Sequence, residues 1–189
     1  MSIFVIGDLH LSTNQNTNKS MEKFGRRWLG YTDKIRQNWE AVVTDQDTVV
    51  IPGDISWAMM LEDAKDDFAL LHSLPGTKLI GKGNHDFWWT TASKMYRFFE
   101  NNKFDTLKIL YNNSFVVGNT VVCGSRGWFS EESNQKTVGD VDWLKIVDRE
   151  TLRLKMSLES VDPQFADLPK NPIKPHICKS KNWVILKTY

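Results

Sequence analysis

KLIGKGNHDFWW, residues 78–89, begins as a buried strand and then abandons its own pattern. Leu79 and Ile80 belong in a core, yet Asn84, His85 and Asp86 follow in a row, with Phe87, Trp88 and Trp89 straight after. An amide, an imidazole and a carboxylate side by side at the end of a strand are poor core material and good ligand material. The same punctuation occurs twice upstream. SIFVIG (2–7) runs into Gly7-Asp8-Leu9-His10, and DTVVIPG (47–53) runs into Asp54. Each stretch reads as a short apolar strand bounded by glycine.

Between the first two strands, Ile35, Trp39, Val42 and Val43 recur at helical spacing. Between the second and third, Leu61, Ala64, Phe68 and Leu71 do the same. Strand–helix–strand–helix–strand predicts parallel strands joined by right-handed crossovers. In an open parallel sheet, ligands sit outside the carboxyl ends of the strands. Asp8, His10, Asp54, Asn84 and His85 are therefore aimed at one place, and the glycines are expected to make the sharp turns there.

Clustered carboxylates repel one another, and a divalent cation resolves the conflict. Mixed oxygen and imidazole donors suit Mn, Fe or Zn better than Ca, and the absence of cysteine among them argues against a closed structural zinc site. An amide such as Asn84 offers an oxygen without adding charge. Of the other histidines, His72 sits on a helical stretch as a surface or packing residue, and His176 follows Pro172 and Pro175 in a loop.

The rest of the chain sets limits. Its 189 residues fit one domain, with 41% hydrophobic and 25% charged residues and a net charge of +1, which gives no general reason to expect nucleic acid or membrane as partner. The run Ile3–Ile6 is too short for a signal-peptide core, and no apolar stretch approaches the roughly 20 residues of a membrane span. Cys123 and Cys178 fit no zinc or redox spacing, so a cytoplasmic setting is expected. Eight tryptophans favour a well-filled core or an aromatic-walled cleft.

Downstream, TTASKMYRFFENN predicts a third helix with Met95, Phe98 and Phe99 inward. SFVVGNTVVCG predicts a hairpin with a two-residue turn at Gly118–Asn119. DWLKIVDRETLRLKMSLES predicts a long amphipathic helix with Trp143, Val147, Leu154 and Leu158 near one face. From Asp162 the composition turns proline- and lysine-rich, which divides the chain into a domain over 1–160 and an atypical tail over 161–189. The tail reads as irregular chain before a last strand, NWVILKTY.

GDLH, GDISW and GNHD resemble the first three motifs of the calcineurin-like metallophosphoesterases. ISWAM, HSLPGTK, GNHDFWW and GSRGW are similar to a bacterial subgroup of predicted phosphohydrolases within that superfamily. The resemblance implies an α/β fold, a four-layer α/β/β/α sandwich, incomplete here at the C-terminus, with two divalent metals. It gives Asp8 and His10 to one metal, makes Asp54 a bridge between two, and assigns Asn84 to the second. His85 would stand beside the phosphate as a catalytic group, with Asp86 orienting it, and Arg126 would be a weaker phosphate contact. The family's two downstream motifs, which supply three more histidine ligands, have no counterpart; His176 in KPHICKS matches neither.

The leading expectation is a metal-dependent phosphoesterase acting on a small phosphoester, with neither membrane nor nucleic acid indicated and self-association through apolar faces left open. The alternative is a catalytically impaired or non-catalytic metal-binding domain of the same fold, holding one ion or none tightly. A doubly wound nucleotide-binding module is disfavoured, because no strand is followed by G-x-G-x-x-G or G-x-x-x-x-G-K-[ST].

Overall fold

The computed structural model describes residues 1–14, 19–126, 143–165, 170–173 and 183–188. It divides into two compact units, Met1–Ile109 and Leu110–Tyr189. In the first unit, β1 (Ile3–Val5), β2 (Thr48–Ile51), β3 (Thr77–Ile80) and β4 (Leu107–Ile109) form a parallel sheet in that order. Helices α1 (Tyr31–Val42), α2 (Lys65–Ser73) and α3 (Ala92–Asn101) are the crossovers. The expected mixed α/β architecture is present. The strands follow one another without a reversal of direction across the sheet, so the sheet has no topological switch point and is not doubly wound.

Burial explains the sequence pattern. All of β2 and most of β3 are inaccessible, as expected of strands covered on both faces. Phe68 and Leu71 of α2 and Met95 and Phe99 of α3 are buried with them. Phe68 packs edge-on against Trp88 and Phe99, with centroids 4.9 and 5.2 Å apart. Val42, expected inward, is instead 60% exposed, and the following Val43 is buried. Leu61 and Ala64, read as helical, lie in turns before α2, buried all the same.

Lys78, the first residue of the decisive stretch, is fully buried. Its ammonium donates to the carbonyls of Leu74 and Gly76 and to the Thr106 hydroxyl. Desolvation nonetheless pushes its pKa down to about 8. His72 behaves as a packing residue, its Nδ1 3.0 Å from Thr106 Oγ1 and its ring against Phe104.

In the second unit, β5 (Asn113–Val117) and β6 (Thr120–Ser125) form the expected hairpin. Val117 faces Thr120, and Gly118 takes a left-handed conformation at φ 56°. The terminal strand is present as β8 (Trp183–Thr188), inside a sheet of order β5-β6-β8-β7. The tail read as irregular chain also holds β7 (Lys170–Ile173), an edge strand where Pro172 needs no ladder donor.

Helix α4 (Trp143–Glu159) packs on β5 and β6, only in part through the apolar stripe that the sequence suggests. Val147 is 40% exposed, whereas Ser157 is fully buried. The Ser157 hydroxyl accepts from the Gly124 amide and donates to the Asn113 carbonyl, so α4 is fixed to the hairpin by polar bonds. Leu158 does turn inward, against Val121 and Cys123.

Candidate metal centre

The carboxyl ends of β1, β2 and β3 continue into three loops, and the first two are zipped together by their backbones. Amides of Asp8, His10 and Leu11 donate to carbonyls of Gly53, Asp54 and Ile55 at 3.3, 2.9 and 2.8 Å, and Trp57 returns a bond to Leu11 at 3.0 Å. Parallel pairing thus outlasts the strands, which sets Asp8 and His10 opposite Asp54. The buried Tyr31 hydroxyl fixes the same segment by donating to the His10 carbonyl at 2.7 Å.

Asp8, His10 and Asp54 each offer a ligand atom within 4.8 Å of the others. His10 Nε2 lies 3.6 Å from Asp8 Oδ1 and 3.8 Å from Asp54 Oδ2, beyond hydrogen-bond reach. Donors about 2.1 Å from a shared ion stand roughly 3–3.5 Å apart, so small adjustments would seat one. Burial raises the Asp54 carboxyl above its ordinary range and the Asp8 charge adds to this, while the His85 amide and the two imidazoles oppose it. His10 Nδ1 is buried and makes no hydrogen bond among the described residues. A mutually repelling carboxylate pair, half-buried Asp8 and buried Asp54, facing an imidazole is the donor set a divalent transition metal takes.

The turns are made by glycine, as the sequence leads one to expect, only in part: Gly53 sits at φ 143°. Asp8, His10 and Asp54 themselves occupy left-handed backbone, at φ 55°, 45° and 54°, a conformation that costs free energy outside glycine. Gly83 is required for another reason: a Cβ there would lie 2.0 Å from Asp54 Oδ1 and 2.2 Å from its amide nitrogen. That close approach lets the His85 amide donate to Asp54 Oδ1 at 2.8 Å. Gly83→Ala should therefore push the third loop off the second. An overpacking cost of about 1–3 kcal/mol and a marked loss of metal affinity are expected, read by thermal denaturation and metal titration. An unaltered metal affinity would show that the approach is incidental.

His85 stands beside the donor group. Its ring is 5.6 Å from that of His10 and 5.2 Å from that of Trp57, between centroids. Asn84 occupies the adjoining position in the same loop, half-buried. Asp86 requires a correction, because it does not orient His85. Its Oδ2 accepts from the amides of Asp54 and Gly83, and its Oδ1 from the Ile55 amide and Trp88 Nε1, all at 2.7–3.0 Å. Four donors fill the lone pairs of both oxygens. Asp86 is thus the clamp that ties the third loop to the second. Its burial drives the carboxyl up to about 6 against the pull of those amides.

Two residues at the site carry no assignment from the sequence. Trp57 stacks on His10 (4.3 Å, 15° between planes) and lies beneath the Lys19 ammonium at 3.3 Å. Its place three residues after Asp54 in GDISW was the available signal. Asp67, fully buried on α2, accepts from the Thr13 amide and hydroxyl and from the Ser56 hydroxyl, and so anchors both ligand loops to the helix. Arg126 follows β6 in the second unit, while His176 lies outside the described residues.

The sequence model of the calcineurin-like phosphoesterases matches residues 1–183, and the chain belongs to that family. Among solved structures it is similar to that of a protein of unknown function, AQ665, from Aquifex aeolicus. Identity is 22% over 62% of this chain and 55% of the other, with a TM-score of 0.39, so the chain spans about half the length of that relative. Comparison with curated proteins finds no match.

Proposed function

We propose that the chain is a metal-dependent phosphoesterase that hydrolyses a small phosphate ester. The observation that supports this most is the convergence of Asp8, His10 and Asp54 within 4.8 Å, with His85 bonded through its amide to Asp54. Asp8, His10 and Asp54 would hold a Mn, Fe or Zn ion, and Asn84 would supply an oxygen from the neighbouring loop. When bound, such an ion polarises a phosphoryl oxygen and lowers the pKa of water toward about 7.

The chain's own residues do the rest. The imidazole of His85 faces the phosphate and protonates the departing ester oxygen, while the oxygen of water bonds to phosphorus, the P–O ester bond breaks and the proton that water loses passes to solvent. Trp57 holds the His10 ring flat, and the Asp86 clamp sets the distance between His85 and Asp54. A cytoplasmic setting belongs to the same reading, since Cys123 and Cys178 fit no zinc or redox spacing. No helix among the described residues is long and apolar enough to cross a membrane.

One Asp8–His10–Asp54 group is the only cluster of its kind among the described residues. This group should accordingly bind one ion, and turnover should require that ion. Metal stoichiometry by mass spectrometry, together with hydrolysis of a chromogenic phosphodiester in Mn²⁺, tests this. Turnover that survives complete chelation would overturn the metal-dependent reading. A metal-loaded chain without turnover would favour the binding-domain alternative.

A further inference from the structure

The two loops that bring Asp54 and His85 to the metal centre do not end there. Beyond Asp54 the second loop runs on to Met59 and Met60, 63% and 61% exposed, and beyond His85 the third runs on to Phe87, 55% exposed. Three large apolar side chains left exposed on two loops tied together by Asp86 mark a candidate binding surface. These residues face a groove of about 570 Å³, in the size range of small-molecule sites, which α3 closes with Lys94 and Arg97. The Phe87 ring stands edge-on to that of His85, with centroids 6.2 Å apart, so the groove opens two residues from the group proposed to face the phosphate.

The groove floor is rigid. Trp88 is 2% exposed and bonded to the Asp86 clamp, and it packs against Phe68. The lining includes polarisable and planar side chains, Met59 and Met60 with Phe87 and Trp89. Lys94 and Arg97 are both exposed and form no ion pair among the described residues, and Glu62 is the single acid of the lining.

We infer that this groove binds the organic half of the substrate, an aromatic ester group bearing a second negative charge. The inference rests on the phosphoesterase reading for the position of the phosphate. The scissile phosphate sits beside His85, and the ring lies between the methionines and Phe87. The second anion meets Lys94 and Arg97, where cations on a mobile stem and a planar fork suit a carboxylate or phosphate.

Direct binding tests the groove without relying on turnover. Calorimetry on the Mn²⁺-loaded full chain would compare methylphosphonate, phenylphosphonate and 4-carboxyphenylphosphonate. Phenyl should bind on the order of ten-fold more tightly than methyl, and the added carboxylate should contribute about a further five-fold that fades with salt. The phenyl-to-methyl ratio should fall to near one in Phe87→Ala and Met60→Ala and recover in Phe87→Tyr. The carboxylate gain should vanish in the Lys94→Gln/Arg97→Gln double variant. Because Phe87 and Met60 are surface residues, these variants should fold, and the ratio cancels any general loss of active protein. A wild-type phenyl-to-methyl ratio of one, or a ratio indifferent to Phe87→Ala, overturns the inference. A phenyl preference without a carboxylate gain overturns its charged half. Binding of phenylphosphonate that depends on Phe87 but not on metal would uphold the groove and strike instead at the phosphate site.

Discussion

Asp54→Asn should abolish tight metal binding while leaving the metal-free protein at least as stable as the parent. The two effects have opposite signs because one carboxylate is responsible for both. Asp54 is 1% exposed, lies 3.8 Å from His10 Nε2 through Oδ2, and accepts the His85 amide through Oδ1. An asparagine can keep the second contact through its amide oxygen, so the loop geometry survives. The charge that opposes the ion's is lost, and with it at least about 100-fold in affinity, since even supporting residues around metals typically contribute 10–100-fold. Retention of stoichiometric metal in Asp54→Asn, measured by elemental analysis after dialysis, would refute the assignment.

The pH dependence follows from the direction of the shifts. Burial raises both Asp54 and Asp86 above their unfolded values, Asp86 to about 6. Between the unfolded value and the raised one, the folded chain holds more protons than the unfolded chain, so stability falls as pH rises through that window. For the metal-free protein, these two groups therefore favour the folded state at about pH 4 over pH 7. Asp54→Asn should flatten this slope, and saturating Mn²⁺ should reverse it, because the ion requires the ionised carboxylates. Chemical denaturation across that range distinguishes the three curves.

His85→Ala should have the second large effect, a fall in turnover of about 10²–10⁴-fold with metal content little changed. Its imidazole stands outside the group formed by Asp8, His10 and Asp54, 5.6 Å from the His10 ring. Its backbone amide, which bonds to Asp54, is untouched by the substitution. Loss of the ion together with activity would make His85 a ligand. Turnover within a few-fold of the parent would remove it from the chemistry.

The sequence by itself pointed to Asp8, His10 and Asp54, which the fold brings within 4.8 Å of one another. Gly-Asp-x-His, Gly-Asp and Gly-Asn-His-Asp at three strand ends, separated by helical patterns, are enough to predict a parallel sheet, because the alternation of apolar strand and amphipathic helix is a local property of the chain. The partners of polar atoms are not. Asp86 was legible as a site residue, but its role depended on amides from Asp54, Ile55 and Gly83 and on the Trp88 indole, some 30 residues apart in sequence in two cases. Gly83 could be read as a turn residue, whereas the structure makes it a point of contact with Asp54, a distinction that only the packing of two loops decides. The left-handed backbone of Asp8, His10 and Asp54 leaves no signature in residue type, since surrounding hydrogen bonds, not local preference, hold it there. The groove beside the site belongs with these. Met59, Met60 and Phe87 would read as core in any window of sequence, and the tertiary structure leaves them in solvent because the loops that bear them were already fixed, through Asp67 and Asp86, by the needs of the metal centre.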